Sequence, residues 1–144
     1  MEHESMVHAL NEIHRILKPG GTLIDLRPLE NSWAVEVVDS TGWQAIGRLK
    51  DQEIGLADDE AANQAMKTAQ ANGWFSQSKN TEFPFFYYWD TPSDMKNFIE
   101  TEWELYEKMD DSLFKQTSAV WASANADARV RVRVKMWIAA WKKI

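Results

Sequence analysis

One junction limits what this chain can fold into: an amphipathic helix that must stop abruptly and hand over at once to a short apolar strand. Met6, Leu10, Ile13 and Leu17 recur at helical spacing, and Val7 and Ile16 widen the stripe. Lys18-Pro19-Gly20-Gly21 then ends the helix, because proline resists its continuation and glycine accepts the left-handed turn. Thr22-Leu23-Ile24-Asp25-Leu26 follows as a strand apolar enough to be buried, closed by Arg27-Pro28. A helix feeding a buried strand through so tight an exit predicts an α/β fold.

The remainder of the chain supplies more of both elements. Trp33 to Asp39 and Trp43 to Leu49 read as a hairpin around Ser40-Thr41-Gly42, a three-residue loop. Asp58 or Asp59 caps a helix running to about Asn72, with Ala61, Ala65, Met66 and Ala69 inward and Gly73 as its stop. Thr81 to Asp90 is a strand rich in aromatics. Thr91-Pro92-Ser93-Asp94 opens a helix whose face carries Met95, Phe98, Ile99, Trp103 and Tyr106. Asp110-Asp111-Ser112 breaks and recaps the chain before a helix with Leu113, Thr117, Val120, Trp121 and Ala124 inward. Finally Val130, Val132, Val134, Met136 and Ile138 alternate with Arg129, Arg131, Arg133, Lys135 and Trp137, a long strand with one apolar and one basic face. With neither repeats nor a low-complexity linker, residues 1–144 read as a single domain.

Composition excludes several classes. The absence of cysteine removes disulfides, thiolate metal sites and cysteine nucleophiles. Met-Glu-His-Glu-Ser at the start is the opposite of a targeting sequence, and no apolar run is long enough to cross a bilayer, so the expectation is a cytoplasmic protein. The net charge of −6 argues against nucleic acid or an anionic membrane as partner. Residues 129–143 nevertheless hold six bases and no acid, and the stripe Glu100, Glu104, Glu107 and Asp111 is expected to neutralise them. Eight tryptophans imply a filled core or an aromatic surface that something else covers.

Ala9-Leu10-Asn11-Glu12-Ile13-His14-Arg15-Ile16-Leu17-Lys18-Pro19-Gly20-Gly21-Thr22-Leu23 resembles the segment leading into the fifth strand of class I S-adenosylmethionine-dependent methyltransferases. The alanine-rich helix ending in Asn72-Gly73-Trp74-Phe75 is similar to that family's next helix. The resemblance implies the C-terminal half of a Rossmann-like methyltransferase fold, a mixed sheet closed by an antiparallel pair of strands, with flanking helices. In that frame the aromatic strand and the terminal basic strand are the closing pair. The hairpin and the helices from 92 to 124 are insertions of the kind that build substrate pockets. The family grips its cofactor with a glycine-rich loop and an acidic residue that both precede this segment, and no Gly-x-Gly occurs here. S-adenosylmethionine is therefore implied as the family's cofactor, while this chain alone is expected to bind none and to lack catalytic residues.

Four residues are candidates for substrate binding. By the resemblance, His3 lies just past the position of the family's fourth strand, where substrate-facing residues occur; a flexible terminus is the other reading. Arg27 follows the fifth strand at the sheet end where open α/β folds bind ligands. It either holds an anionic substrate group or pairs with Asp25 or Glu30. Trp33 and Trp43 either line an apolar pocket or pack the hairpin. No metal site is expected, since His3, His8 and His14 do not share the spacing of two ligands on one helix.

The family places its fifth strand between the fourth and the last, so Thr22 to Leu26 should have a bare edge. Either the 33–49 hairpin folds over that edge or two chains pair there, and a homodimer is the expectation. Three functions stay open. The chain is a methyltransferase-derived domain binding a small-molecule ligand or a partner, a half that is active when another chain supplies the glycine loop, or a non-catalytic interaction protein using its aromatic strand.

Overall fold

A computed structural model describes residues 2–144 as a mixed α/β protein. The elements are α1 (His3–Ile16), β1 (Thr22–Pro28), β2 (Ala34–Asp39), β3 (Gly42–Arg48), β4 (Lys50–Asp51), α2 (Glu53–Ala71), β5 (Phe75–Trp89), α3 (Pro92–Glu102), β6 (Glu107–Lys108), α4 (Asp111–Ser123) and β7 (Arg129–Lys143). They form two compact units. One comprises the chain up to Leu29, Leu56–Phe83 and Met136–Ile144; the other comprises Glu30–Gly55 and Pro84–Lys135.

In the first unit α1 ends at the expected place. Gly20 adopts φ 74°, the Gly21 amide donates to the Lys18 carbonyl, and Thr22 begins β1. β1 runs antiparallel to the second half of β7, from Thr22 opposite Lys142 to Pro28 opposite Met136. α2 turns back at Gly73, also left-handed at φ 71°. Leu10, Ala65, Met66, Ala69, Phe75, Ala139 and Trp141 form the core, with Leu23 and Trp137 packed on it. The alanines of α2 carry no bulk that would hold the helix away. Two expectations fail here. β1 is not buried throughout: odd positions face the core, while Ile24 and Leu26 are 55% and 54% exposed. α2 begins at Glu53, so Asp58 and Asp59 lie within it and do not cap it. Glu53 complements the helix dipole in the first turn, and nothing from Ile54 to Ala57 is rigid enough to delay the helix.

In the second unit β2 and β3 make the hairpin. Asp39 pairs with Gly42, so the turn has two residues rather than three, and the Asp39 carboxylate accepts from the Thr41 amide and hydroxyl. β2 takes the first half of β7 as its other partner, from Ala34 opposite Arg133 to Val38 opposite Arg129. The hairpin is thereby spent on β7, and β1 ends the strand order with β7 as its neighbour. Val35, Val37, Leu49, Met95, Ile99, Leu113, Val130, Val132 and Val134 are buried. Thr91 caps α3 by accepting from the Asp94 amide, as expected, but the helix stops at Glu102.

The basic row of β7 finds other partners than the expected acidic stripe. Register places Glu36 opposite Arg131, and the buried Glu36 carboxylate accepts from Arg131 Nε at 2.6 Å and Arg133 Nε at 3.0 Å. Arg131 stands 4.4 Å from the Phe86 ring centre, Arg133 is 4.9 Å from that of Trp43, and Arg129 pairs with Asp90. Glu36 is one strand away and already in register, whereas the helical stripe does not form, since α3 ends at Glu102 and Glu107 lies in β6. Removing Glu36 strands a buried guanidinium. Glu36→Leu should cost about 3–5 kcal/mol, read as a lower urea midpoint at unchanged slope.

Candidate functional site

Among the described residues, buried polar atoms that the fold does not satisfy gather in two places, with Trp141 Nε1 apart from both. The first lies in the first unit, where a pocket of about 220 Å³ is lined by Met6, Leu10, Leu23, Arg27, Ala62 and Met66, with Asp25 and Ile24 at the same wall. Its lining is mostly apolar, so the Asp25–Arg27 pair stands out. Arg27 Nε donates to Asp25 Oδ1 at 3.0 Å, Nη2 donates to Asn63 Oδ1 at 3.0 Å, and the guanidinium stacks 5.0 Å from the centre of the Trp137 ring. That leaves Arg27 Nη1 and Asp25 Oδ2 buried with no hydrogen-bond partner. A buried donor and a buried acceptor in this condition cost free energy until something polar meets them.

The other sequence candidates lie elsewhere. His3 sits in α1 with Nε2 3.4 Å from the Thr68 hydroxyl. Trp33 is buried and packs edge-on against Trp103, at 5.5 Å between ring centres. Trp43 is 56% exposed beside Arg131 and Arg133. Trp33 and Trp43 belong to the second unit, and neither they nor His3 line the Arg27 pocket. Of the three alternatives for Arg27, the Asp25 pair is formed, yet it leaves a guanidinium nitrogen over.

The second place escapes sequence reasoning. In the second unit Glu30, Asp51 and Glu107 bring carboxylate oxygens within 4.8 Å of one another. The two-residue strands β4 and β6 create this: Asp51 stands directly opposite Glu107. Like charges facing each other across a strand pair repel, so the pairing needs outside support. Part of it comes from Ser32, whose amide donates to both Asp51 oxygens at 2.9 and 3.1 Å. Ser32 adopts φ 47°, a left-handed conformation that non-glycine residues seldom take. More comes from the aromatic cluster: the Trp103 carbonyl accepts the Tyr106 and Glu107 amides, and Trp103 packs on Trp33, Tyr87 and Phe98. Gly55 leaves room for the Glu30 carboxyl group, which a Cβ there would approach to 2.8 Å.

Glu107 is 2% exposed, and no donor from outside the three carboxyl groups reaches its oxygens. Burial, then a hydrogen bond shared with Glu30, then the charges of Glu30 and Asp51 push its carboxyl up to about 10. These oxygens are the donor set a cation would find here. Nothing in the sequence advertises it, since the three residues come from a loop and the two strands of one isolated pair. No described helix is long and apolar enough to cross a membrane. No protein-family model, curated protein or solved structure matches the chain.

The sign of the Glu107 effect follows from the two states. Below its ordinary value of 4.5 both folded and unfolded chains hold the proton; between 4.5 and about 10 only the folded chain does. Stability therefore falls as pH rises across that window, by at most about 1.4 kcal/mol per pH unit. Glu107→Gln keeps the shape and removes the titration. Calorimetry in chelated buffer should find the variant's melting temperature gaining on the parent's from pH 5 to pH 9. A difference that stays constant with pH would contradict the assignment.

Proposed function

We propose that this chain is a methyltransferase-like domain that binds a small anionic ligand at the carboxyl end of β1 and is not catalytic by itself. The observation that carries the reading is that Arg27 and Asp25 both line an apolar pocket while Arg27 Nη1 and Asp25 Oδ2 stay unsatisfied. A ligand carboxylate would meet the first, and a hydroxyl or amine on the same ligand would meet the second. The pocket's size matters, because about 220 Å³ is less than the roughly 300–1,000 Å³ of sites that enclose drug-sized molecules or cofactors. It suits a small acid better than a whole S-adenosylmethionine.

The methyltransferase half of the reading is supported by element order. α1, β1, α2, β5 and β7 follow one another, with β7 pairing both β1 and β5. That is the order the resemblance implies for the family's fifth strand, its next helix and the closing pair. Nuclear magnetic resonance titration with isovalerate and benzoate should shift the Arg27 Nε and Met66 methyl signals, and Arg27→Met should abolish the shifts. Calorimetry with S-adenosylmethionine should show no binding by the chain alone. Shifts that persist in Arg27→Met, or tight S-adenosylmethionine binding by the chain alone, would overturn the proposal. Binding gained on adding a chain that carries a glycine-rich loop would favour the complementing half.

A homodimer belongs to the same reading, on a separate observation. β1 is last in the strand order and shows Ile24 and Leu26 on its exposed side. A strand with both features invites another strand or apolar face to cover it. Sedimentation velocity should show a concentration-dependent dimer that the double change Ile24→Lys, Leu26→Lys dissociates. A monomer at all concentrations would remove the dimer and leave the Arg27 pocket standing.

A further inference from the structure

We propose that Glu30, Asp51 and Glu107 form a binding site for one divalent cation of the hard, oxygen-preferring class: calcium, magnesium or manganese. The proposal does not depend on the Arg27 pocket, which lies in the other unit.

Three acidic residues near one another are common on protein surfaces and mean little there. Here the decisive member is Glu107. Its side chain is 2% exposed, it points into the cluster from β6, and no donor from outside the three carboxyl groups reaches either oxygen. The buried Glu36 carboxylate, by contrast, is met by two guanidinium groups. What faces Glu107 instead is two more carboxyl groups. Only a positive species between them turns that arrangement from repulsive to attractive.

The geometry suits a metal ion. Oxygen atoms bound to one such ion lie about 2.0–2.6 Å from it, so ligand oxygens across the ion are separated by up to roughly 4–5 Å. The three side chains offer oxygens all within 4.8 Å of one another. The donors are all carboxylate oxygens, with neither imidazole nor thiolate in the set, which selects the hard cations over zinc or copper. Asp51 is already aimed by the Ser32 amide, and its remaining lone pairs are free for a metal, as outer donors orient ligands in metal sites. Glu30 and Asp51 are only partly buried, so an ion has a way in and room to keep part of its water. β4 and β6, too short to persist on their own, are held together at the point where the ion would sit.

The test uses the full chain after chelation and dialysis. Isothermal titration with calcium, magnesium and manganese chlorides at pH 7 should show a single saturable site for at least one ion. The same ion should raise the melting temperature, because it binds the folded chain alone. Glu107→Gln and Glu30→Gln should each weaken binding by at least about tenfold and lose the thermal shift. Manganese should selectively broaden the Ser32 amide resonance. Circular dichroism establishes that each variant is folded, and Asp51→Asn replaces any that is not. Absence of heat and of a thermal shift with all three ions at about 10 mM, where even weak calcium modules are filled, would overturn the proposal. So would undiminished binding in Glu107→Gln, or manganese broadening that spares Ser32. A chain that ignores metal but gains stability at high pH on Glu107→Gln would leave a proton as the shared cation and the site refuted.

Discussion

The backbone ladder of β7 is what the rest of the structure depends on. β1, β2 and β5 all take β7 as a partner, and β1 and β2 do so at its two halves. A strand used in this way must serve two environments. Val130, Val132 and Val134 are buried in the first half, Ala139 and Trp141 in the second, so the buried phase passes from even to odd positions along one continuous element. Valine and tryptophan both suit an extended backbone, and the arginines between the valines reach the acid that register provides. Arg131 and Arg133 are thus paired with a buried acid, and Arg129 with Asp90 at the surface.

How much of this was legible beforehand depends on whether the cause is local. The α1 stop at Pro19-Gly20-Gly21, the Thr91 cap, the break at Asp110 and the alternation in the first half of β7 are written in neighbouring residues, and all are present; Asp110 stands at the start of α4 without a side-chain cap bond. The errors fall where the cause is distant. Thr22 to Leu26 reads as a buried strand because its residues are apolar; whether both faces are covered depends on elements far along the chain, and one is not. The hairpin's turn could be placed to within one residue, but its pairing with β7 could not, since nothing in 33–49 names its partner.

The same division separates the two polar sites. Arg27 was visible because it follows a strand, a position with functional meaning in α/β folds. Its leftover nitrogen was not, for it depends on Asn63 and Trp137 taking up the rest of the guanidinium. Glu30, Asp51 and Glu107 offered no signal at all. Their convergence is produced by a two-residue strand pair, a serine in a left-handed conformation and an aromatic cluster that fixes the Trp103 turn. None of these has a periodicity to read.

Buried polar groups in this chain therefore fall into two kinds, and the difference bears on function. Glu36 with Arg131 and Arg133 is matched by oppositely charged groups, and such a network sets register and specificity without asking for anything else. Asp25–Arg27 is matched in part, and in the carboxyl cluster Glu107 meets no donor from outside the cluster. A fold selected for stability alone would replace such groups with apolar ones of the same shape, since an unsatisfied buried polar atom costs about 1–3 kcal/mol. Keeping them is explained when the missing partner comes from solution. On the readings proposed above, an anion would meet the leftover guanidinium nitrogen and a cation the carboxyl oxygens. The matched network holds the strand in place, and the unmatched groups mark where the protein is open to chemistry it does not itself contain.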